Sequence, residues 1–159
     1  MMVSLVLALA ASQCTVEHAR YALRHDPALT ARFVAVDSGP DWPAHLALRL
    51  HSTRSGPDHW FLPADGGSDG RQTLVSIADP TQPGWQPPAP DGGDRPLGEA
   101  EYLGADAVYD LLDGVPRRGT PAPAHFLVPA LRQLLWYRAP AQQREPSARQ
   151  FFDRVGCDA

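Results

Sequence analysis

The sequence predicts an α+β fold, in which an antiparallel sheet of about three to five strands is packed by N- and C-terminal helices. Three observations predict it. Apolar residues recur at helical spacing near both ends of the chain, apolar and polar residues alternate in the middle, and 159 residues suffice for one domain with its own core. We therefore expect a single globular domain over residues 13–159, preceded by a cleaved signal segment at 1–12.

Helices are predicted where apolar residues repeat every three or four positions. At the amino-terminal end of the domain, Thr15 is suited to cap a helix whose apolar stripe is formed by Val16, Ala19 and Leu23. The predicted helices cover residues 15–25, 98–113 and 147–157, and residues 126–138 are compatible with a helix or with two short strands.

Strands are predicted in the middle of the chain, where alternation is clearest. Residues 44–52 alternate leucines with polar residues, and residues 58–63 form a plausible hairpin partner. A register that places Leu50 opposite Trp60 gives both strands an apolar face on the same side, so burial favours it. Further strands are predicted at 31–37 and 72–78.

The first residues predict an export signal. Residues 3–11 form an uninterrupted apolar run that is too short to span a bilayer as a helix, and residues 8–10 (Ala-Leu-Ala) supply a cleavage site. One alternative is a lipid anchor at Cys14, which the preceding Gln13 disfavours, and another is a buried first helix. We expect a periplasmic or secreted protein with no transmembrane segment in the mature chain.

The two cysteines, Cys14 and Cys157, lie near the two ends of the expected mature chain. In an oxidising compartment an even pair predicts a disulfide. The alternatives are two reduced thiols in a cytosolic protein, or an acylated Cys14 that leaves Cys157 unpaired. The bridge is favoured because it agrees with export.

The composition excludes several kinds of chemistry. The chain has no lysine and no asparagine but 14 arginines, which indicates a GC-rich and therefore bacterial genome. Without lysine there is no Schiff-base chemistry and no phosphate-loop lysine. The net charge is −4 and the arginines are scattered, so we expect no nucleic-acid partner, and no motif calls for a cofactor.

Two aspartates and two histidines are weak candidates for a metal or catalytic site. Asp65 and Asp69 match the start of a calcium loop, although the same Gly-rich stretch is more typical of a hairpin turn. In the preferred register His51 lies opposite His59, an arrangement that can hold a metal with a third ligand or supply a general base.

Binding residues are predicted around a proline-rich loop. Residues 79–96 hold six of the 17 prolines and place Trp85 at their centre, and rigid aromatic residues lose little entropy on binding. Trp42 and Arg49 are the other binding candidates, because Trp and Arg dominate protein interfaces.

These observations together predict a small exported bacterial protein that acts as a binding module of the inhibitor, immunity or accessory type, with a protein partner. One alternative is a hydrolase that uses His51 and His59, with or without a metal ion. The other is a cell-wall or polysaccharide binding module in which Trp85 and Trp42 stack on sugar rings.

Overall fold

The computed structural model describes residues 13–66 and 69–159, and strands dominate these residues. In β1, Ala19, Tyr21 and Leu23 are buried while Arg20 is exposed, so the side chains alternate between two faces as a strand requires. The described residues form nine strands: β1 (Ala19–Leu23), β2 (Asp26–Ala35), β3 (Leu46–Ser52), β4 (His59–Gly66), β5 (Arg71–Ile77), β6 (Glu99–Glu101), β7 (Leu103–Ala105), β8 (His125–Leu127) and β9 (Phe151–Cys157).

All nine strands belong to one antiparallel sheet with the order β6-β5-β4-β3-β2-β1-β9-β8-β7. The two outermost strands, β6 and β7, follow each other in the chain and are separated only by Tyr102. Because the first and last strands of the sheet are joined in this way, the sheet curls into a nearly closed barrel. Barrel closure leaves few unpaired strand edges.

The predicted α+β class is wrong, because the segments expected to form packing helices pair as strands. Residues 15–25 form a short 3-10 turn, Val16–His18, followed by β1; residues 147–157 contain β9, and β1 pairs with β9. Residues 98–113 form β6, β7 and a loop. In the described part of the chain the longest helical segment is a π-helix at Gln133–Arg138, which follows β8. The four strands expected in the middle of the chain are present as β2 to β5.

The barrel interior is filled by aromatic side chains. Tyr21 lies edge-on to Phe126 with ring centroids 5.0 Å apart, and Phe126 stacks on Phe152 at 4.7 Å. Leucines of β3, the helical segment and neighbouring strands complete this cluster. The interior is therefore a packed core rather than an open channel.

A second apolar cluster lies outside the barrel, beneath the proline-rich loop (residues 79–96). Trp60 and Leu62 of β4 face outward and are buried there together with Trp42, against which Trp85 packs. The Trp42 indole Nε1 donates a hydrogen bond of 3.0 Å to the Pro88 carbonyl. The loop thus covers one outer face of the sheet.

This cover explains why the expected hairpin register is wrong by one residue. Trp60 pairs with Arg49, and His59 pairs with Leu50. The expected register assumed that only the inner face is buried, whereas here the proline-rich loop also buries the outer face. Trp60 can therefore point outward and remain dry.

The predicted disulfide between Cys14 and Cys157 is confirmed, with the two Cα atoms 5.9 Å apart. It fastens the segment that precedes the 3-10 turn and β1 to the end of β9, and its sulfur atoms are no longer available for a thioether-linked lipid at Cys14. The predicted signal segment at 1–12 lies outside the described residues. None of the helices in the described residues is long and apolar enough to cross a membrane.

Candidate functional site

Two of the residues predicted from the sequence, Arg49 and His51, meet a third residue, Asp58, on the outer face of β3. Arg49 and His51 alternate with buried leucines and so share this face, where both contact Asp58, the residue before β4. Asp58 accepts a 2.7 Å hydrogen bond from Arg49 Nε, and its other oxygen lies 2.7 Å from His51 Nδ1. The guanidinium already neutralises the carboxylate, so this group is an ion-pair cluster rather than a set of free metal ligands.

His59 does not join this cluster, because the observed register places it on the inner face of the sheet. Its imidazole is buried at the end of the barrel, and Nε2 has no hydrogen-bond partner among the described residues. Burial lowers the pKa of His59, against an opposing contribution from the Gln143 backbone carbonyl. His51 and His59 therefore do not face each other across the hairpin.

Asp65 and Asp69 flank the β4–β5 turn, and each pairs with an arginine. Asp65 lies 3.2 Å from Arg117 Nη2, and Asp69 lies 3.8 Å from Arg71 Nε. The centre of the turn, residues 67–68, is outside the described range. Within the described residues, no group of three His, Cys, Asp or Glu side chains is placed to hold a metal ion.

The two candidate tryptophans are part of the outer cluster. Trp42 is buried and bonded to the proline-rich loop, while Trp85 is half-buried against the same cluster. Only Trp85 therefore keeps ring surface available to a partner, and a sugar ring has no access to Trp42.

Among the described residues, the largest group of exposed apolar side chains lies elsewhere, in a loop that the sequence predicted as a helix. This apolar loop (residues 106–113) follows β7. The exposed fractions of its apolar residues are 74% for Val108, 44% for Tyr109, 63% for Leu111 and 39% for Leu112. Contiguous exposed apolar side chains of this kind are typical of interaction sites.

The backbone of the apolar loop is held by its own hydrogen bonds. Asp106 Oδ1 accepts hydrogen bonds from the backbone N–H groups of Val108 and Asp110, at 2.9 and 3.0 Å. The Asp106 N–H donates to the Asp110 carbonyl, and Leu112 N–H donates to Gly104 on β7. These contacts fix the turn, so the apolar side chains are displayed by an ordered loop.

Tyr109 anchors the loop to the barrel wall. Its ring stacks on His125 of β8, with centroids 4.2 Å apart and planes 10° apart, and its hydroxyl accepts a hydrogen bond from Arg24. Its φ of 69° is in the left-handed region, which is uncommon for a large side chain and is sustained here by these contacts.

Asp153 of β9 completes this anchor. It accepts two 2.8 Å hydrogen bonds from Arg24 and lies 2.6 Å from His125 Nδ1. The hydrogen bonds from Arg24 lower the pKa of Asp153, with a further contribution from His125. Arg24, Tyr109, His125 and Asp153 form what we call the anchor cluster.

The surroundings of the apolar loop are acidic. No arginine or histidine occurs in the sequence between Arg95 and Arg117. Four carboxylates of this stretch take part in no ion pair of the described structure. They are Glu101, Asp106, Asp110 and Asp113. The stretch that carries the exposed apolar side chains therefore has a net negative charge, and Arg24, which contacts Tyr109, is already paired with Asp153.

Sequence reasoning missed this loop for a physical reason. Val108, Leu111 and Leu112 have the spacing of one apolar helix face, which predicts that they are buried. The one available signal is the density of aspartates between them, since aspartate favours turns.

Comparison of the chain with protein-family models, with curated proteins and with solved structures found no match.

Proposed function

We propose that this chain is an exported binding protein that captures another protein through the apolar loop (residues 106–113). The observation that carries the proposal is the display of Val108, Tyr109, Leu111 and Leu112 on an ordered loop. Burying these side chains against a partner removes apolar surface from water, at about 25 cal/mol per Å². Because the loop is already ordered, little conformational entropy is lost on binding.

The partner that fits this surface is a protein with an apolar cleft bordered by arginine or lysine. The apolar side chains of the loop are exposed on a backbone that is already ordered, so they can enter an apolar cleft without rearrangement of the loop. The unpaired carboxylates Glu101, Asp110 and Asp113 favour a cationic border and speed the encounter with it. Insertion of a rigid loop into a cleft is the mode of an inhibitor, so among the expected types we propose the inhibitor type.

The proposed location outside the cytosol is supported by the disulfide. A bond between Cys14 and Cys157 persists where the surroundings are oxidising, as in the periplasm or outside the cell. The pairing also accounts for both cysteines of the sequence.

The test uses a photo-crosslinking amino acid at position 111, with position 155 as the control. Val155 is also an exposed apolar residue, 59% accessible, but it lies on β9, outside the apolar loop. We expect one extracytoplasmic protein of the native host to crosslink at position 111 and not at 155. A crosslinking pattern that is the same at both positions would remove the support for this surface.

The captured partner is then purified and titrated calorimetrically with variants. Leu111→Asp is expected to weaken binding about a hundredfold, because it places a charge in the apolar contact, whereas Val155→Asp changes the affinity less than twofold. Trp85→Ala, tested in parallel, measures the contribution of the proline-rich loop. If Trp85→Ala abolishes binding and Leu111→Asp does not, the partner binds the proline-rich loop instead.

A further inference from the structure

A cavity of about 410 Å³ lies at one end of the barrel, beneath the apolar loop. Its walls are mainly apolar and include Leu112, Val115, Pro121 and Pro123. Tyr102, the residue between β6 and β7, lines the same cavity. Apolar cavities with few polar groups at the mouth of a barrel are typical sites for small molecules.

The Tyr102 hydroxyl is the polar group in this wall that lacks a partner. The residue is 1% exposed, and its hydroxyl makes no hydrogen bond to any described residue. Burial raises the pKa of Tyr102, so the group is a neutral phenol that can donate a proton in a hydrogen bond. Buried hydroxyl groups are normally paired, and this one lacks an acceptor.

Tyr21 provides an internal comparison. It is buried in the same aromatic core, but its hydroxyl donates a 3.0 Å hydrogen bond to the Pro123 carbonyl. The two tyrosines therefore lie in the same core, but only the Tyr21 hydroxyl has a hydrogen-bond acceptor.

Gly104 lies next to this hydroxyl. A Cβ atom at Gly104 would lie 3.1 Å from the Tyr102 hydroxyl oxygen, and Gly104 also lines the cavity. The hydroxyl oxygen itself is enclosed, so an acceptor in the cavity reaches it through a small shift of the wall beside Gly104.

The charges at the rim restrict the kind of molecule that fits. Arg117 is paired with Asp65, and Asp113 adds a carboxylate that is in no ion pair of the described residues. A negatively charged molecule would meet this excess carboxylate. An uncharged molecule avoids this repulsion.

We propose that this cavity binds a small, uncharged and mainly apolar molecule that offers a carbonyl or ether oxygen to the Tyr102 hydroxyl. The apolar body lies against Leu112 and Val115, and the oxygen supplies the missing acceptor. This proposal does not rest on partner binding by the apolar loop, although Leu112 and Asp113 belong to both sites.

The test compares two probes of the same shape, acetophenone and ethylbenzene, which differ in the carbonyl oxygen. Binding to the full chain is measured by saturation-transfer NMR and by the amide shifts of Gly104 and Val115. We expect the wild type to bind acetophenone about tenfold more tightly, the ratio that corresponds to about 1.4 kcal/mol for one hydrogen bond. Benzoate is expected to bind more weakly than acetophenone.

Tyr102→Phe removes the hydroxyl and Tyr21→Phe is the matched control. In Tyr102→Phe the preference for acetophenone should fall to less than twofold, while Tyr21→Phe should keep it. Thermal melting checks the fold: Tyr102→Phe should melt at the wild-type temperature or above, because it removes an unpaired polar group, and Tyr21→Phe should melt lower. Equal affinity for the two probes in the wild type, no binding of either, or an unchanged preference in Tyr102→Phe would overturn the proposal.

Discussion

Replacing Cys14 and Cys157 by serine tests how far this barrel depends on its single bridge. The two cysteines are 143 residues apart in sequence, so the bridge closes nearly the whole described chain into one loop. In the chain-entropy model, opening a loop of that length raises the entropy of the unfolded state and lowers the free energy of unfolding by about 5 kcal/mol.

The folded state should survive this change. β1 and β9 are paired along five residue positions, from Ala19 opposite Cys157 to Leu23 opposite Phe152. These hydrogen bonds hold the two strands together without the bridge, so most of the loss arises in the unfolded state. With an unfolding entropy of about 0.3 kcal/mol per degree for a chain of this size, the melting temperature should fall by about 15 °C.

The measurement is urea denaturation of the wild type and the double-serine variant, followed by far-UV circular dichroism. The m-value should rise in the variant, because its unfolded state is less compact and exposes more surface. Wild-type protein reduced with dithiothreitol is the control and should match the variant. A loss below about 2 kcal/mol with an unchanged m-value would refute the loop-entropy argument.

Three further predictions concern buried polar groups. Burial lowers the pKa of His59, so the unfolded chain takes up the proton first and the wild type should lose stability between pH 7 and pH 5. Denaturation at each pH should show that His59→Gln removes up to about 1.4 kcal/mol per pH unit of this loss. Arg54→Ala should destabilise the protein more than Glu145→Gln, because it removes the guanidinium that lies 2.5 Å from the Glu145 carboxylate, and Glu145 is only 1% exposed. The double variant should recover much of the melting temperature that Arg54→Ala loses. Trp42→Phe should cost about 1 kcal/mol by removing the hydrogen bond to Pro88, and should speed proteolysis within the proline-rich loop.

Each of these has an outcome that contradicts it. Identical pH profiles for wild type and His59→Gln would mean that the buried imidazole does not govern this range. Additive losses in the Arg54 and Glu145 variants would mean that the two side chains are not coupled. Unchanged proteolysis in Trp42→Phe would mean that this hydrogen bond does not hold the proline-rich loop.

The strands in the middle of the chain could be predicted because local alternation and burial agree there. In β3, leucines on the inner face alternate with Arg49 and His51 on the outer face. The register with β4 could not be predicted, because it depends on the proline-rich loop that buries Trp60 from outside. Local sequence does not reveal which face a distant loop will cover.

The terminal strands were mistaken for helices because short segments fit both periodicities. Ala19 and Leu23 are four residues apart, which suits a helix, but together with Tyr21 they also alternate as a strand does. Both segments form strands because β1 pairs with β9, although their residues are more than a hundred positions apart in the sequence.

The candidate site was predicted only in part. The disulfide followed from counting cysteines, and the alternation of β3 predicted that Arg49 and His51 share a face, but their contact with Asp58 was not predicted. The anchor cluster could not be predicted, because Arg24 in the turn after β1, His125 of β8 and Asp153 of β9 come together only when β1, β9 and β8 pair in the sheet.

The position of β9 has a consequence for how the molecule is made. This strand inserts between β1 and β8, so these two strands have no partner between them until residues 151–157 have left the ribosome. A nascent chain shorter than this cannot complete the barrel. For a protein exported as we propose, late completion keeps the chain unfolded and able to pass through a translocation channel, and oxidation of its thiols on the far side then makes the finished structure difficult to reopen.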